Sequence, residues 1–140
     1  VVTIHQDIEK LCTEYSIPVI LHSSPYRNDM IRLGLDTIGS YIDRCAFIPS
    51  DQPLIKTESI ASLLLCAQNE PSYIWRTCYD KTPGAPVIFP KEYFDELMSL
   101  PQGKGGNVVV HGHESQVRQL PVTNKTELMD IDTPADMARL

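Results

Sequence analysis

Short continuous apolar runs alternate along the chain with stretches whose apolar residues recur every three or four positions. The first pattern predicts strands covered by protein, and the second predicts helices with one buried face. Val1, Val2 and Ile4 form a first strand, and Ile8, Leu11, Cys12 and Tyr15 follow at helical spacing from Asp7. "IPVILH", Ile17 to His22, is a second strand. Met30, Leu33, Gly34, Thr37 and Ile38 mark a second helix, and "CAFIP", Cys45 to Pro49, a third strand. Thr57 fits the N-cap of a helix from Glu58 to Gln68 with Ile60, Leu63, Leu64 and Ala67 inward. "SYIWRTCY", Ser72 to Tyr79, reads as a strand, and "PVIF", from Pro86, as a short proline-flanked one. "KEYFDELMSL", Lys91 to Leu100, is a helix, while "GNVVVH" suits either a strand or a helix. "QVRQLPV" is a strand, and "DTPADMARL" starts a last helix with Thr133 or Asp132 as cap and Pro134 at the first position.

Strands separated by helices imply right-handed βαβ units and a mainly parallel sheet, so one α/β domain over residues 1–140 is expected. A hydrophobic fraction of 42% is sufficient for a core. The net charge of -6 argues against a nucleic-acid partner. It does not argue against nucleotides, because a cation can bridge an acidic site to phosphates. Cys12, Cys45, Cys66 and Cys78 form no C-x-x-C pair and read as reduced core residues. No apolar run approaches the ~20 residues of a membrane span. No basic segment followed by an apolar one opens the chain, so no membrane partner and a cytoplasmic location are expected. The chain begins inside a strand and without Met, which points to a segment upstream of Val1.

In open α/β sheets, ligands bind beyond the carboxyl ends of the strands. Asp51, in "FIPSDQPLI", stands at such an end. Pro53 holds Gln52 extended and stiffens the step, which suits a magnesium ligand. The competing role of Asp51 is a turn carboxylate that accepts from nearby amides. In "MDIDTPADM", Asp130 and Asp132 flank Ile131, and only one of them is expected to share a site with Asp51. Asp132 also fits an N-cap, and Asp136 fits the first helical turn. "KTPGAPVIFP" places Gly84 and Pro86 in a stiff loop whose backbone suits ligand contact. Gly103, Gly105 and Gly106 around Lys104 make a glycine-rich turn without P-loop spacing. His111 and His113 alternate with no third ligand beside them and read as solvated or structural.

In this order, "FIPSDQPLI", "PGAPVIFPKEYFDEL", "LPQGKGG" and "DIDTPADM" resemble the MobA-like nucleotidyltransferases over Phe47 to Leu140. The nearer likeness is to the branch that makes molybdopterin cytosine dinucleotide or serves maturation of molybdenum hydroxylases. The resemblance implies a Rossmann-like, nucleotide-diphospho-sugar-transferase-like α/β fold with helices on both faces. It implies transfer of CMP from CTP, rather than GMP from GTP, to molybdopterin with release of pyrophosphate. Asp51 matches the magnesium-binding aspartate, and Asp132 the position of a second metal carboxylate. Gln52, Pro53, Gly84, Pro86, Gly105 and Gly106 match substrate-binding positions. The family's opening strand and Gly-rich nucleotide loop have no counterpart here, so the fold reads as N-terminally truncated and the 140-residue chain alone as inactive. Gln102, Gly103 and Asn107 also replace the usual residues of the glycine-rich turn. Another phosphorylated or acidic acceptor, or a non-catalytic accessory role in hydroxylase maturation, remains open. A truncated sheet would expose an edge, which favours self-association.

Overall fold

The computed structural model describes residues 1–138. Arg139 and Leu140, the end of the predicted last helix, lie outside the described residues. In chain order the elements are β1 (Val2–Thr3), α1 (Gln6–Glu14), β2 (Ile20–Leu21), α2 (Arg27–Ile38), β3 (Arg44–Phe47) and α3 (Thr57–Asn69). They continue with β4 (Ile74–Tyr79), β5 (Thr82–Pro90), α4 (Phe94–Met98), α5 (Asn107–Gly112), β6 (Val117–Pro121) and α6 (Pro134–Met137). The chain divides into two compact units.

The first unit comprises residues 1–43 and 91–114. Here β1, α1 and β2 form a βαβ element, with Val2 opposite Ile20 and Thr3 opposite Leu21 in parallel. Cys12 is the buried residue of α1. Leu35 of α2 and Phe94 and Leu97 of α4 are buried where those two helices pack. The predicted helix over Lys91–Leu100 is a 3-10 turn, Lys91–Tyr93, followed by the short α4. Pro101 biases Leu100 out of helical geometry, which ends it early. "GNVVVH" resolves as the helix α5, with Val109 and Val110 buried.

The second unit comprises residues 44–90 and 115–140. Its sheet has the order β3-β5-β4-β6. The α/β class holds, but this sheet is mixed, not mainly parallel. β4 and β6 are parallel, while β5 runs antiparallel to both β3 and β4. The cause is local. Asp80 and Lys81 have φ of 44° and 68° between the paired residues Tyr79 and Thr82. That is the left-handed two-residue turn whose twist suits a hairpin. The expected loop over Lys81–Pro90 with a short "PVIF" strand is therefore one nine-residue strand.

Leu63 and Ala67, four residues apart on α3, pack on Trp75 and Ile88 of the sheet. Truncating Leu63 to Ala would cost about 2–5 kcal/mol by the usual cost of a core cavity. At the other end of α3, Arg44 Nη1 donates to the Ala67 carbonyl at 2.8 Å, a cation where helix carbonyls lack partners. The N-cap of α3 is Lys56, one residue before the predicted Thr57, with no side-chain cap bond. Thr133 caps α6 in a reciprocal box with Asp136, and Pro134 starts the helix, as the sequence predicts.

Candidate functional site

β3 delivers the chain through Ile48-Pro49-Ser50 to Asp51. Asp51 is exposed, whereas Gln52 is only 7% exposed. Two hydrogen bonds tie this step to a segment almost 80 residues later. The Ile131 amide donates to the Asp51 carbonyl at 2.8 Å. Gln52 Nε2 donates to Asp130 Oδ1 at 2.8 Å. An ionised carboxylate only accepts, so the Gln52 nitrogen faces Asp130 and its oxygen faces away. Gln52 Oε1 is buried without a donor. Such an orphaned acceptor is costly unless a donor arrives from outside.

Neither local polar role that the sequence offered to Asp51 and Asp132 is taken up by them. Among the described residues the Asp51 and Asp132 side chains make no hydrogen bond or ion pair. Asp51 is thus not the amide-accepting turn carboxylate, and Thr133, not Asp132, caps α6. The side chain joined to the Asp51–Gln52 step is Asp130, whereas the sequence reading favoured Asp132. Residues 129–132 form no regular element, and even a strand would put Asp130 and Asp132 on one face, so alternation gave no ground for separating them.

The donors suit a hard divalent cation. Among the described residues no three His, Cys, Asp or Glu side chains cluster as a complete metal set. Magnesium and manganese do not need one, because water and phosphate oxygens complete the shell around one or two carboxylates. Asp51 and Asp132, each without a partner among the described residues, are of the donor type that such a partly hydrated ion takes.

Gly84 and Pro86 lie inside β5, not in a loop. Between the pairs Arg76–Val87 and Cys78–Pro83, Thr77 alone faces Gly84, Ala85 and Pro86, so β5 bulges there. The Ala85–Pro86 peptide is cis. Arg76, 8% exposed, donates from Nε and Nη2 to the Gly84 carbonyl at 3.1 and 2.9 Å. A Cβ on Gly84 would lie 2.6 Å from Leu128 Cδ1, so any larger residue there would force the Leu128 side chain to shift. Leu128 stands two residues before Asp130, which brings the bulge against the Asp130 segment.

Sequence reasoning missed Glu127, which is 1% exposed. Its Oε1 accepts from Thr123 Oγ1 at 3.0 Å and from the Asn124 amide at 3.3 Å. Its Oε2 accepts from Ser59 Oγ at 2.5 Å and from the Lys56 amide at 3.4 Å. Lys56 Nζ stands 3.6 Å from Oε1. Burial pushes this carboxyl's pKa up. The Ser59 and Thr123 hydroxyls, then the Lys56 amide and ammonium, outweigh it and hold the pKa below its ordinary value. The available signal was N-x-x-E, a capping box.

Gly105 and Gly106 belong to the first unit and precede α5. Gly103, with φ of +75°, makes the turn, and its amide donates to Asn28 Oδ1 at 2.8 Å at the start of α2. His113 Nε2 contacts Glu96 at 2.9 Å, and His111 Nδ1 lies 3.4 Å from Glu114. All four cysteines are free thiols, Cys12 and Cys78 buried and the others half-buried.

The family model of the MobA-like NTP transferase domain matches residues 1–118. Asp130 and Asp132 lie beyond that match. No curated protein matches the chain in sequence. The crystal structure of Rv0371c from Mycobacterium tuberculosis H37Rv is 21% identical, with a TM-score of 0.82 over 99% of this chain and 71% of that one. Its manganese complex gives 20% and 0.80 over 99% and 72%. Molybdopterin-guanine dinucleotide biosynthesis protein A from Archaeoglobus fulgidus gives 21% and 0.70 over 99% and 74%. CMP:2-keto-3-deoxy-manno-octonic acid synthetase complexed with CTP gives 11% and 0.77 over 99% and 76%. At these identities the likeness is one of fold.

Proposed function

Because the chain belongs to the MobA-like NTP transferase family, we propose that it serves a nucleotidyltransferase moving CMP from CTP to molybdopterin. An acceptor phosphate oxygen attacks the α-phosphorus, the bond to the bridging oxygen of the β-phosphate breaks, and pyrophosphate leaves. No protein nucleophile is required. Asp51 and Asp132 would hold magnesium, which offsets the repulsion between acceptor and donor phosphates when bound. Gln52, oriented by Asp130, offers its buried Oε1 to a water or hydroxyl of the bound ligand. Pro53 stiffens that step. The Gly84–Pro86 bulge supplies backbone groups to the acceptor, and Gly105 and Gly106 contact substrate. The reading takes residues 1–140 as part of one cytoplasmic nucleotidyltransferase domain.

The observation that carries this reading is Asp51 itself. Its backbone and the next side chain are fixed by hydrogen bonds, yet its carboxylate has no partner among the described residues. The test is Asp51→Asn in the natural gene product containing this chain, assayed for pyrophosphate release from CTP with molybdopterin. We expect a loss of about 100-fold or more with an unchanged circular dichroism spectrum. Undiminished turnover by the variant would refute the role. GTP in place of CTP should support less turnover.

A second reading keeps the chemistry and changes the acceptor to another acidic or phosphorylated molecule. Arg76 favours it, as a buried cation beside the Gly84 bulge whose hydrogen bonds, among the described residues, go to a carbonyl and to no carboxylate. A panel of sugar phosphates and keto acids, read by pyrophosphate release, discriminates the two.

A further inference from the structure

Burying a carboxylate is costly, and the local turn does not require the charge of Glu127. The turn Lys125–Leu128 uses Oε1 in its capping box with Asn124. A glutamine serves that box equally well. The other oxygen, Oε2, leaves the turn and binds Ser59 and the Lys56 amide, 68 and 71 residues away in sequence. This places an anion at the start of the 13-residue α3, where the helix dipole favours it. Lys56 Nζ adds a link to Thr123 Oγ1 at 3.1 Å.

These bonds form the far end of a two-point tie. At the near end, Asp51 and Gln52 are bonded to Ile131 and Asp130. At the far end, Lys56 and Ser59 are bonded to Glu127. The two strips of chain therefore cannot slide or pivot past one another without breaking one set.

We propose that Glu127 is a positioning residue that sets Asp51 against the Asp132 segment, so that cation affinity at those carboxylates depends on Glu127. The proposal rests on the metal role given to Asp51 and Asp132. Residues that orient metal ligands from behind commonly change affinity by about 10- to 100-fold when altered.

The experiment titrates Mn²⁺ alone into the folded protein and follows free Mn²⁺ by electron paramagnetic resonance, well below the unfolding temperature. It compares wild type with Asp51→Asn, Glu127→Gln, Ser59→Ala and Leu63→Ala. The last destabilises the same unit from its core, where Leu63 packs with Ala67, Trp75 and Ile88, and removes no hydrogen-bonding group of the tie. We expect binding by wild type, none by Asp51→Asn, roughly tenfold weaker binding by Glu127→Gln and Ser59→Ala, and unchanged binding by Leu63→Ala. Wild-type affinity in both Glu127→Gln and Ser59→Ala overturns the positioning role and leaves the metal reading intact. Equal weakening by Leu63→Ala also overturns it, because any loss of stability would then suffice. Absence of Mn²⁺ binding by wild type removes the metal reading and the positioning role together. Should Glu127→Gln fail to fold, Ser59→Ala and Lys56→Met carry the comparison.

Discussion

Glu127 shows how one side chain couples stability to pH. Its folded pKa lies below its ordinary value because hydroxyl and amide donors and Lys56 outweigh the cost of burial. The unfolded chain therefore binds a proton at a higher pH than the folded one. The stabilisation is complete above the unfolded value of about 4.3 and is lost as pH falls through the folded value. Over that window, stability should fall by at most about 1.4 kcal/mol per pH unit from this group. Urea unfolding of wild type and Glu127→Gln between pH 3 and pH 6, roughly the window set by that reference value, measures it. The two stability curves should converge toward the acid end. Parallel curves would show that Glu127 does not contribute in this way. The sequence could single out Asp51 as a candidate, because a carboxylate after an apolar strand is a local pattern. It could not reveal the tie of Glu127 to Ser59, because "KTEL" reads as a solvated turn and the partner is far away in the chain. The weight given to Asp132 over Asp130 came from the family resemblance, not from a local pattern. Alternation could not choose between them, because i and i+2 share a face of a strand, and the bond of Asp130 to Gln52 spans 78 residues of chain.

At the scale of elements, the β4–β5 hairpin carries a removable cost. Lys81 holds φ of 68°, a left-handed conformation that costs an L-residue about 1 kcal/mol and glycine almost nothing. Asp80 tolerates the same region better than most residues. Lys81→Gly should therefore raise stability by about 0.5–1 kcal/mol, partly offset by the greater freedom of glycine in the unfolded chain. A thermal melt of the variant checks this, and a lowered melting temperature would show that the turn is not strained at Lys81. The same turn explains what the sequence hid. Periodicity placed nearly every helix and strand, since one buried face per element leaves a regular imprint. It carried no sign of strand direction at β5, because the usual Asn-Gly or Asp-Gly signal is replaced by Asp-Lys. Three prolines in Thr82–Pro90 further disguised a strand as a loop. The Gly84 bulge lies within that disguised strand, so the sequence marked these residues as candidates while hiding their setting.

At the scale of the whole molecule, solubility balances a net charge of -6 against apolar surface that the fold leaves open. On α1, Ile8 and Leu11 lie three residues apart and Tyr15 follows four later, so they form one stripe. Their exposures are 40%, 50% and 68%. Beside them, β1 and β2 pair only with each other, so each keeps one edge without a strand partner among the described residues. An apolar stripe next to open strand edges favours a second copy of the chain, and like charge opposes it. Salt screens the repulsion far more than it weakens apolar contact. Sedimentation velocity should accordingly show a mean coefficient that rises with protein concentration, and rises further in high salt. Leu11→Lys places a charge in the middle of the stripe and should restore the monomer under both conditions without disturbing the second unit's sheet. A wild-type protein that stays monomeric across the micromolar range in high salt would show that the stripe is ordinary exposed surface. Association unaffected by Leu11→Lys would place the contact elsewhere on the molecule.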